Sequence, residues 1–171
     1  EISVCDWSSD VCSSDLEPAL EATFASIEGV ESVTADLFAR DVSTRLDVEA
    51  LPFEAGAFDL IYCSQVLEHV PDDRQALREF HRVLKPGGRA ILLVPITVER
   101  TVEDVSVTDP VERERRFGQH DHMRRYGLDF MDRVREAGFT CTLFTTSDIV
   151  APVDVAYLGL DLSDKIFLCV A

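Results

Sequence analysis

Short apolar runs separated by capped amphipathic stretches set the pattern of this chain. Phe58 to Ser64 (FDLIYCS) and Ala90 to Pro95 (AILLVP) are nearly continuous apolar runs, as expected of parallel strands covered on both faces. Between them Asp72 can cap a helix, with Gln75 three residues on as its reciprocal partner. Ala76, Leu77, Phe80, Val83 and Leu84 then form one apolar stripe, and Pro86-Gly87-Gly88 stops the helix. Two parallel strands joined by a helix make a βαβ unit, whose ligands sit where strands end and helices begin. Upstream, a helix over roughly Pro18 to Ile27 is followed by strands at Ser32 to Leu37 and Thr44 to Val48. Downstream, Asp109-Pro110-Val111-Glu112 combines a cap, a proline at the first position and a glutamate at the third. Leu128 to Ala137 reads as a further helix, with Leu128, Met131 and Val134 on one face and Gly138 as its stop. Phe139 to Thr145 and Lys165 to Val170 read as the last strands. The alternation of elements predicts an α/β domain with the strand at 58–63 central.

Asp47…Leu51-Pro52-Phe53, Phe58-Asp59, Val66-Leu67-Glu68-His69-Val70-Pro71 and Arg82-Val83-Leu84-Lys85-Pro86-Gly87-Gly88 follow one another over about fifty residues. In order and spacing they resemble the class I S-adenosylmethionine-dependent methyltransferases, and the resemblance runs from about Glu17 to the C-terminus. It is nearest to a bacterial small-molecule branch that also carries the stretch Phe117-Gly118-Gln119-His120-Asp121-His122-Met123-Arg124-Arg125-Tyr126-Gly127. It implies a Rossmann-like methyltransferase sheet, mostly parallel with an antiparallel C-terminal hairpin that places 165–170 near an edge. It also implies S-adenosylmethionine as cofactor.

Residues 1–16, EISVCDWSSDVCSSDL, look unlike the rest: Ser8-Ser9-Asp10-Val11-Cys12 is nearly repeated as Ser13-Ser14-Asp15-Leu16. The segment resembles translated sequencing-adapter DNA, and a native polar arm is the competing reading. The eight glycines include no Gly-x-Gly, the loop that lets backbone approach a ligand closely. The expectation is therefore a non-native segment at 1–16 and a truncated methyltransferase domain at 17–171, with the glycine loop missing and the first strand missing or replaced by foreign sequence. By resemblance Glu17-Pro18 is the tail of that strand, and Glu17 a cofactor contact.

Several residues are candidates for chemistry. Asp36 ends the second strand, where a carboxylate can accept two hydrogen bonds from a ribose diol; a helix cap or solvated turn is the alternative. By resemblance Asp47 faces the adenine amino group with the Val48 backbone nearby, a turn aspartate being the other reading. Cys63, Ser64 and Gln65 end the fourth strand, where the methionine portion of the cofactor would lie. Cys63 is a small core residue rather than a nucleophile, since no basic partner is visible. His69 lines the methyl-transfer site or simply packs. Residues 96–126 follow a strand's C-terminal end and read as a substrate-side insertion. Within it Asp121 and His122 are the candidate catalytic pair, His122 as base or anchor and Asp121 as its orienting partner; a polar pair tying down the loop is the alternative. No metal is expected, because His120 and His122 lack a third ligand at recognisable spacing. Arg100, Arg113, Arg115, Arg116, Arg124 and Arg125 read mostly as a solvated face offset by Glu99, Glu103, Glu112 and Glu114.

Composition narrows the partners. The 171 residues are 46% apolar, enough for one globular domain. Thirty-two acidic against sixteen basic residues give a net charge of −16, which repels a phosphate backbone and argues against a nucleic-acid substrate. A salt-adapted or GC-rich source produces the same bias. Five cysteines at irregular spacing, with no Cys-x-x-Cys, read as reduced thiols. No apolar window reaches membrane-span length and no signal-peptide pattern opens the chain, so no membrane partner and a cytoplasmic setting are expected. The functional expectation is methyl transfer to a small-molecule acceptor, weak or absent in a truncated chain. The alternatives are a degenerate binding module of the same fold and a nicotinamide-dependent oxidoreductase. The oxidoreductase would leave Leu51-Pro52-Phe53 and Glu68-His69 unexplained.

Overall fold

A computed structural model describes residues 2–6, 22–23, 26–36, 44–151 and 164–171, with the backbone alone at 2–6, 34–36 and 44–45. In chain order the elements are β1 (Ile2–Asp6), β2 (Ser32–Asp36), β3 (Thr44–Arg45), β4 (Phe58–Ser64), α1 (Asp73–Val83) and β5 (Leu84–Leu93). There follow β6 (Val102–Glu103), α2 (Pro110–Phe117), β7 (Arg124–Arg125), α3 (Phe130–Glu136), β8 (Thr140–Thr145), α4 (Thr146–Ile149) and β9 (Lys165–Val170). Seven of the strands form one sheet in the order β3-β2-β1-β4-β5-β9-β8. The first five positions run parallel, and β9 is antiparallel to both β5 and β8. The sheet is therefore mixed α/β with β4 at its centre, as the apolar runs predict.

The slot of the first strand, expected to be missing or replaced by foreign sequence, is occupied by residues of the 1–16 segment. Ile2–Asp6 fills the slot between β2 and β4, pairing in parallel with both. An empty slot there would leave two rows of ladder groups unsatisfied, and the β-branched Ile2 and Val4 suit an extended run. The loop after β1 and Glu17 lie outside the described residues; of the helix expected over 18–27, Ala22–Thr23 is helical, Ser26–Ile27 already turns, and the rest lies outside the described residues.

Local chemistry explains where the elements begin and end. Asp72 caps α1 by accepting from the Gln75 amide at 2.9 Å. The reciprocal half of the expected capping box is supplied by Glu49 instead, which accepts from the Asp72 amide at 2.7 Å, while the Gln75 side chain donates to the Glu49 carbonyl. Ala76, Leu77, Phe80 and Val83 are buried against the sheet. Extended structure starts at Leu84 rather than Ala90 because Leu84 pairs with Phe58, and Gly87, at φ 78°, turns the chain within the strand. The third strand stops at Arg45, short of the expected Val48, because Asp47 Oδ1 accepts from the Glu49 amide at 2.9 Å and bends the chain. Helix α3 buries Phe130, Arg133 and Val134 and leaves Leu128 exposed, a face rotated from the expected one. Phe130 sets that rotation by stacking edge-on between Tyr126 and Phe167.

Residues 96–126 leave the sheet and return to it. Thr97 donates its amide to the Tyr126 carbonyl at 3.0 Å, and β6 pairs antiparallel with β7. Among the described residues no helix is long and apolar enough to cross a membrane. A Cβ on Gly127 would lie 2.6 Å from the Arg100 Cα and from the Glu99 carbonyl carbon and oxygen, so two backbone segments meet there at glycine distance. Gly127→Ala is expected to destabilise the fold by about 1–3 kcal/mol, the range for overpacking a fixed site. Urea unfolding measures this, and an unchanged midpoint would mean the 96–101 segment moves aside without cost.

Candidate functional site

The strand order reverses between β1 and β4. In open α/β sheets ligands bind beyond the carboxyl ends of the strands at such a reversal. At the tip of β4 Cys63 is buried and Ser64 half-buried, and Asp6 of β1 lies in register with Ser64. The next residue, Gln65, has φ 54° although it is not glycine, and its amide donates to the Leu93 carbonyl at 3.0 Å. Such a conformation costs about 1–2 kcal/mol and turns the chain sharply off the strand end.

The following stretch, Val66 to Val70, is buried throughout. A buried loop needs partners for its carbonyls, and the 96–126 segment supplies them. Arg124, 1% exposed, donates from Nη1 to the carbonyls of Leu67 (2.7 Å) and Val70 (2.6 Å), and from Nη2 to Pro71 (2.9 Å). The Met123 amide donates to the Glu68 carbonyl at 2.8 Å. Behind this contact Asp73, the first residue of α1, accepts from Arg133 Nη1 (2.8 Å) and from the Tyr126 hydroxyl (2.7 Å). Glu103 bridges Arg133 (2.8 Å) and Arg124 (3.2 Å). The Arg133 hydrogen bond holds Glu103 below the usual carboxylate range. Burial works to lower the Arg133 pKa, but the hydrogen bond to Glu103 and the charge of Asp73 outweigh it and raise it.

This clamp brings four polar side chains together. His69 Nδ1 lies 3.3 Å from Asp121 Oδ2. The His69 and His122 rings meet edge to face, with centroids 4.7 Å apart. His122 Nδ1 lies 3.2 Å from the Phe117 carbonyl, which accepts only if Nδ1 carries the proton, leaving Nε2 as a lone-pair nitrogen. Glu68 is 1% exposed, and neither of its carboxylate oxygens meets a donor beyond its own backbone amide. Desolvation pushes the Glu68 carboxyl up to about 8, against the pull of the Arg124 charge. Burial pulls His69 down to about 4 despite Asp121, and lowers His122 despite the Phe117 carbonyl. His122 also faces a cavity of about 280 Å³ lined by Pro95, Thr97, Phe117 and the arginines 124 and 125.

The structure therefore assembles His69, Asp121 and His122, but with a different pairing. Asp121 turns to His69, and it is the Phe117 carbonyl that orients His122. Sequence spacing offers His120 and His122 no third ligand, and the structure forms a different group: Glu68, His69 and His122 each offer a ligand atom within 4.8 Å of the others. His120 is not part of that group. Asp36 stands at the C-terminal end of β2, its backbone in register with Arg45 of β3. Asp47 is exposed and caps its own turn, while Val48 is buried in the core. Of the arginines, Arg115 and Arg116 pair with Glu112 as a solvated face, whereas Arg124 is buried.

Residues 10–92 match the family model described as a methyltransferase domain. An S-adenosylmethionine-dependent methyltransferase from Mesorhizobium loti superposes with a TM-score of 0.62 at 16% identity, covering 99% of this chain and 90% of that one. Over residues 10–92 the chain thus resembles a methyltransferase domain, and its fold is that of the S-adenosylmethionine-dependent methyltransferases. Burkholderia thailandensis 1,6-didemethyltoxoflavin-N1-methyltransferase, solved with 1,6-didemethyltoxoflavin and S-adenosylhomocysteine, shares this methyltransferase fold at a TM-score of 0.59 and 14% identity, over 99% of this chain and 69% of that one. Among curated relatives, the ubiquinone/menaquinone biosynthesis C-methyltransferase UbiE of Geotalea uraniireducens is 39% identical over 66 residues, which are 38% of this chain and 28% of the relative. The chain spans about a quarter of the length of the curated relatives it matches.

Two residues of this core escape sequence reasoning. Glu68 is hidden inside a motif whose histidine draws the attention, although a glutamate within an otherwise apolar Val66-to-Val70 run is itself a signal. Arg124 sits in a run of arginines from which nothing local separates it. Arg124→Met is expected to cost about 3–5 kcal/mol, the range for removing one partner of a buried charge network; a loss under about 1 kcal/mol in urea unfolding would refute the clamp. Glu103 gives a pH signature. Its folded pKa is lowered, so its stabilisation is present above its ordinary value of 4.5 and is lost as pH falls through the folded value. Thermal unfolding followed downward from pH 5 should therefore show a smaller decline in Glu103→Gln than in the wild type.

Proposed function

We propose that the chain transfers a methyl group from S-adenosylmethionine to a small-molecule acceptor. The observation that carries this reading is the meeting, beyond the tip of β4, of the strand-order reversal with the buried group Glu68, His69, Asp121 and His122. Methyl transfer is an in-line displacement: the carbon–sulfur bond breaks with its electrons going to sulfur, while an acceptor lone pair forms the new bond. Holding the two partners in line and excluding water supplies much of the rate. Glu17, Asp36, Asp47, Val48, Cys63, Ser64 and Gln65 would serve the cofactor, and His69 the methyl-transfer face. His122 and Asp121 would serve the acceptor, His122 as anchor or base.

Small acceptors suit the cavity beside His122 and the charge of −16. The names of the relatives point the same way: one concerns a quinone pathway, the other didemethyltoxoflavin. A cytoplasmic setting and no nucleic-acid partner belong to the same reading. The first glycine of the chain is Gly29, so the stretch between β1 and β2 offers no glycine before that point to let backbone approach the cofactor closely, and weak binding is expected.

Thermal shift with S-adenosylhomocysteine and with NAD tests the reading. Stabilisation by the first alone is expected, and stabilisation by NAD alone would favour the oxidoreductase. Neither shift, in a version given a glycine-rich loop after β1, would favour a binding module. In such a version Asp36→Ala and Asp47→Ala should each weaken S-adenosylhomocysteine by about 1–3 kcal/mol. A loss of folding without that selective effect would leave Asp47 its turn role alone. His122→Gln should lower turnover with cofactor affinity intact, and wild-type turnover would remove it from the acceptor side.

A further inference from the structure

We propose that Glu68, His69 and His122 are the protein ligands of a divalent transition-metal ion of the zinc class. This rests on the reading that the cluster serves the acceptor, and adds what does the work there. The three ligand atoms lie within 4.8 Å of one another, and all three residues are buried. An ion about 2.1 Å from each ligand needs separations of roughly 3.4 Å, so side-chain rotation closes the site without rebuilding the loop.

Three further features point to an ion. The Glu68 oxygens are buried and meet no donor beyond their own amide, an arrangement that lacks a partner as it stands and that a cation completes. His69 Nδ1 is held by Asp121, the carboxylate–histidine pair that orients a ligating imidazole. His122 Nδ1 is held by the Phe117 carbonyl, which leaves Nε2 for coordination. Two imidazoles and one carboxylate favour zinc or a neighbouring first-row ion over magnesium, which prefers oxygen ligands and water. Three protein ligands leave a fourth position open, as in catalytic rather than structural sites, and His122 faces the cavity. A hydroxyl acceptor there would lose its proton to solvent water more readily, its electron pair staying on the oxygen that meets the methyl group.

The test uses the whole chain stripped with a chelator and titrated calorimetrically with Zn²⁺, with Mg²⁺ as control. One Zn²⁺ per chain and no Mg²⁺ are expected. Cobalt(II) in place of zinc should give a ligand-field spectrum without a thiolate charge-transfer band, which separates this site from the five cysteines. Glu68→Gln and His122→Ala should each weaken Zn²⁺ at least tenfold, and Asp121→Asn about tenfold. No Zn²⁺ uptake by the wild type, a thiolate band, or unchanged affinity in folded Glu68→Gln and His122→Ala would each overturn the proposal. If those variants unfold, the wild-type titration and cobalt spectrum still decide. An S-adenosylhomocysteine thermal shift, read on the stripped chain and on the version with a glycine-rich loop after β1, keeps the two readings apart: a shift without metal uptake sinks the ion alone, and metal uptake with no shift in either sinks methyl transfer alone.

Discussion

A loop buried directly after a central strand must find donors for its carbonyls, and Arg124 provides them. Leu67, Val70 and Pro71 all turn carbonyls toward one guanidinium. With five N–H donors in a rigid fork and a charge that persists at any ordinary pH, arginine fits this task better than lysine. Burying that charge is costly unless it is compensated. Glu103 and Asp73 supply the negative charge, and Arg133 completes a network in which two cations face two carboxylates. The 96–126 segment is held on the sheet through this network, through the Ile96–Tyr126 bridge and through the close approach at Gly127.

The candidate site follows from that constraint. Arg124 is two residues past His122, and the carbonyls it grips flank Glu68 and His69. Fixing one pair against the other sets the edge-to-face contact of the two imidazoles. The same burial that makes the clamp necessary removes water from the cluster. It keeps both histidines neutral near pH 7 and leaves Glu68 preferring its proton, with a value of about 8. Lone-pair nitrogens and a carboxyl without a full set of partners, beside a cavity, are a chemically poised group rather than a packed core.

Much of the sheet was legible in the sequence because its signals are local. The runs at 58–64 and 90–95, the Asp72 and Asp109 caps and the Gly138 stop each act within a few residues, and the structure places strands and helices accordingly. The differences arise where a distant partner intervenes. Glu49 takes over half of the α1 cap, Phe130 turns α3 toward Phe167, and Ile2–Asp6 enters the sheet because a central slot between two strands must be filled.

By itself the sequence determined the α/β class, the central strand, the family likeness and the presence of Asp121, His122 and His69 near a strand end. These follow from periodicity, capping and motif spacing, which involve neighbouring residues. Tertiary structure alone decided that Asp121 orients His69, that the Phe117 carbonyl orients His122, that Glu68 joins them, and that one arginine of six is buried. Apart from the Phe117–His122 contact, which spans five positions, those facts join residues more than fifty positions apart, and whether a charge is solvated or clamped depends on what folds over it.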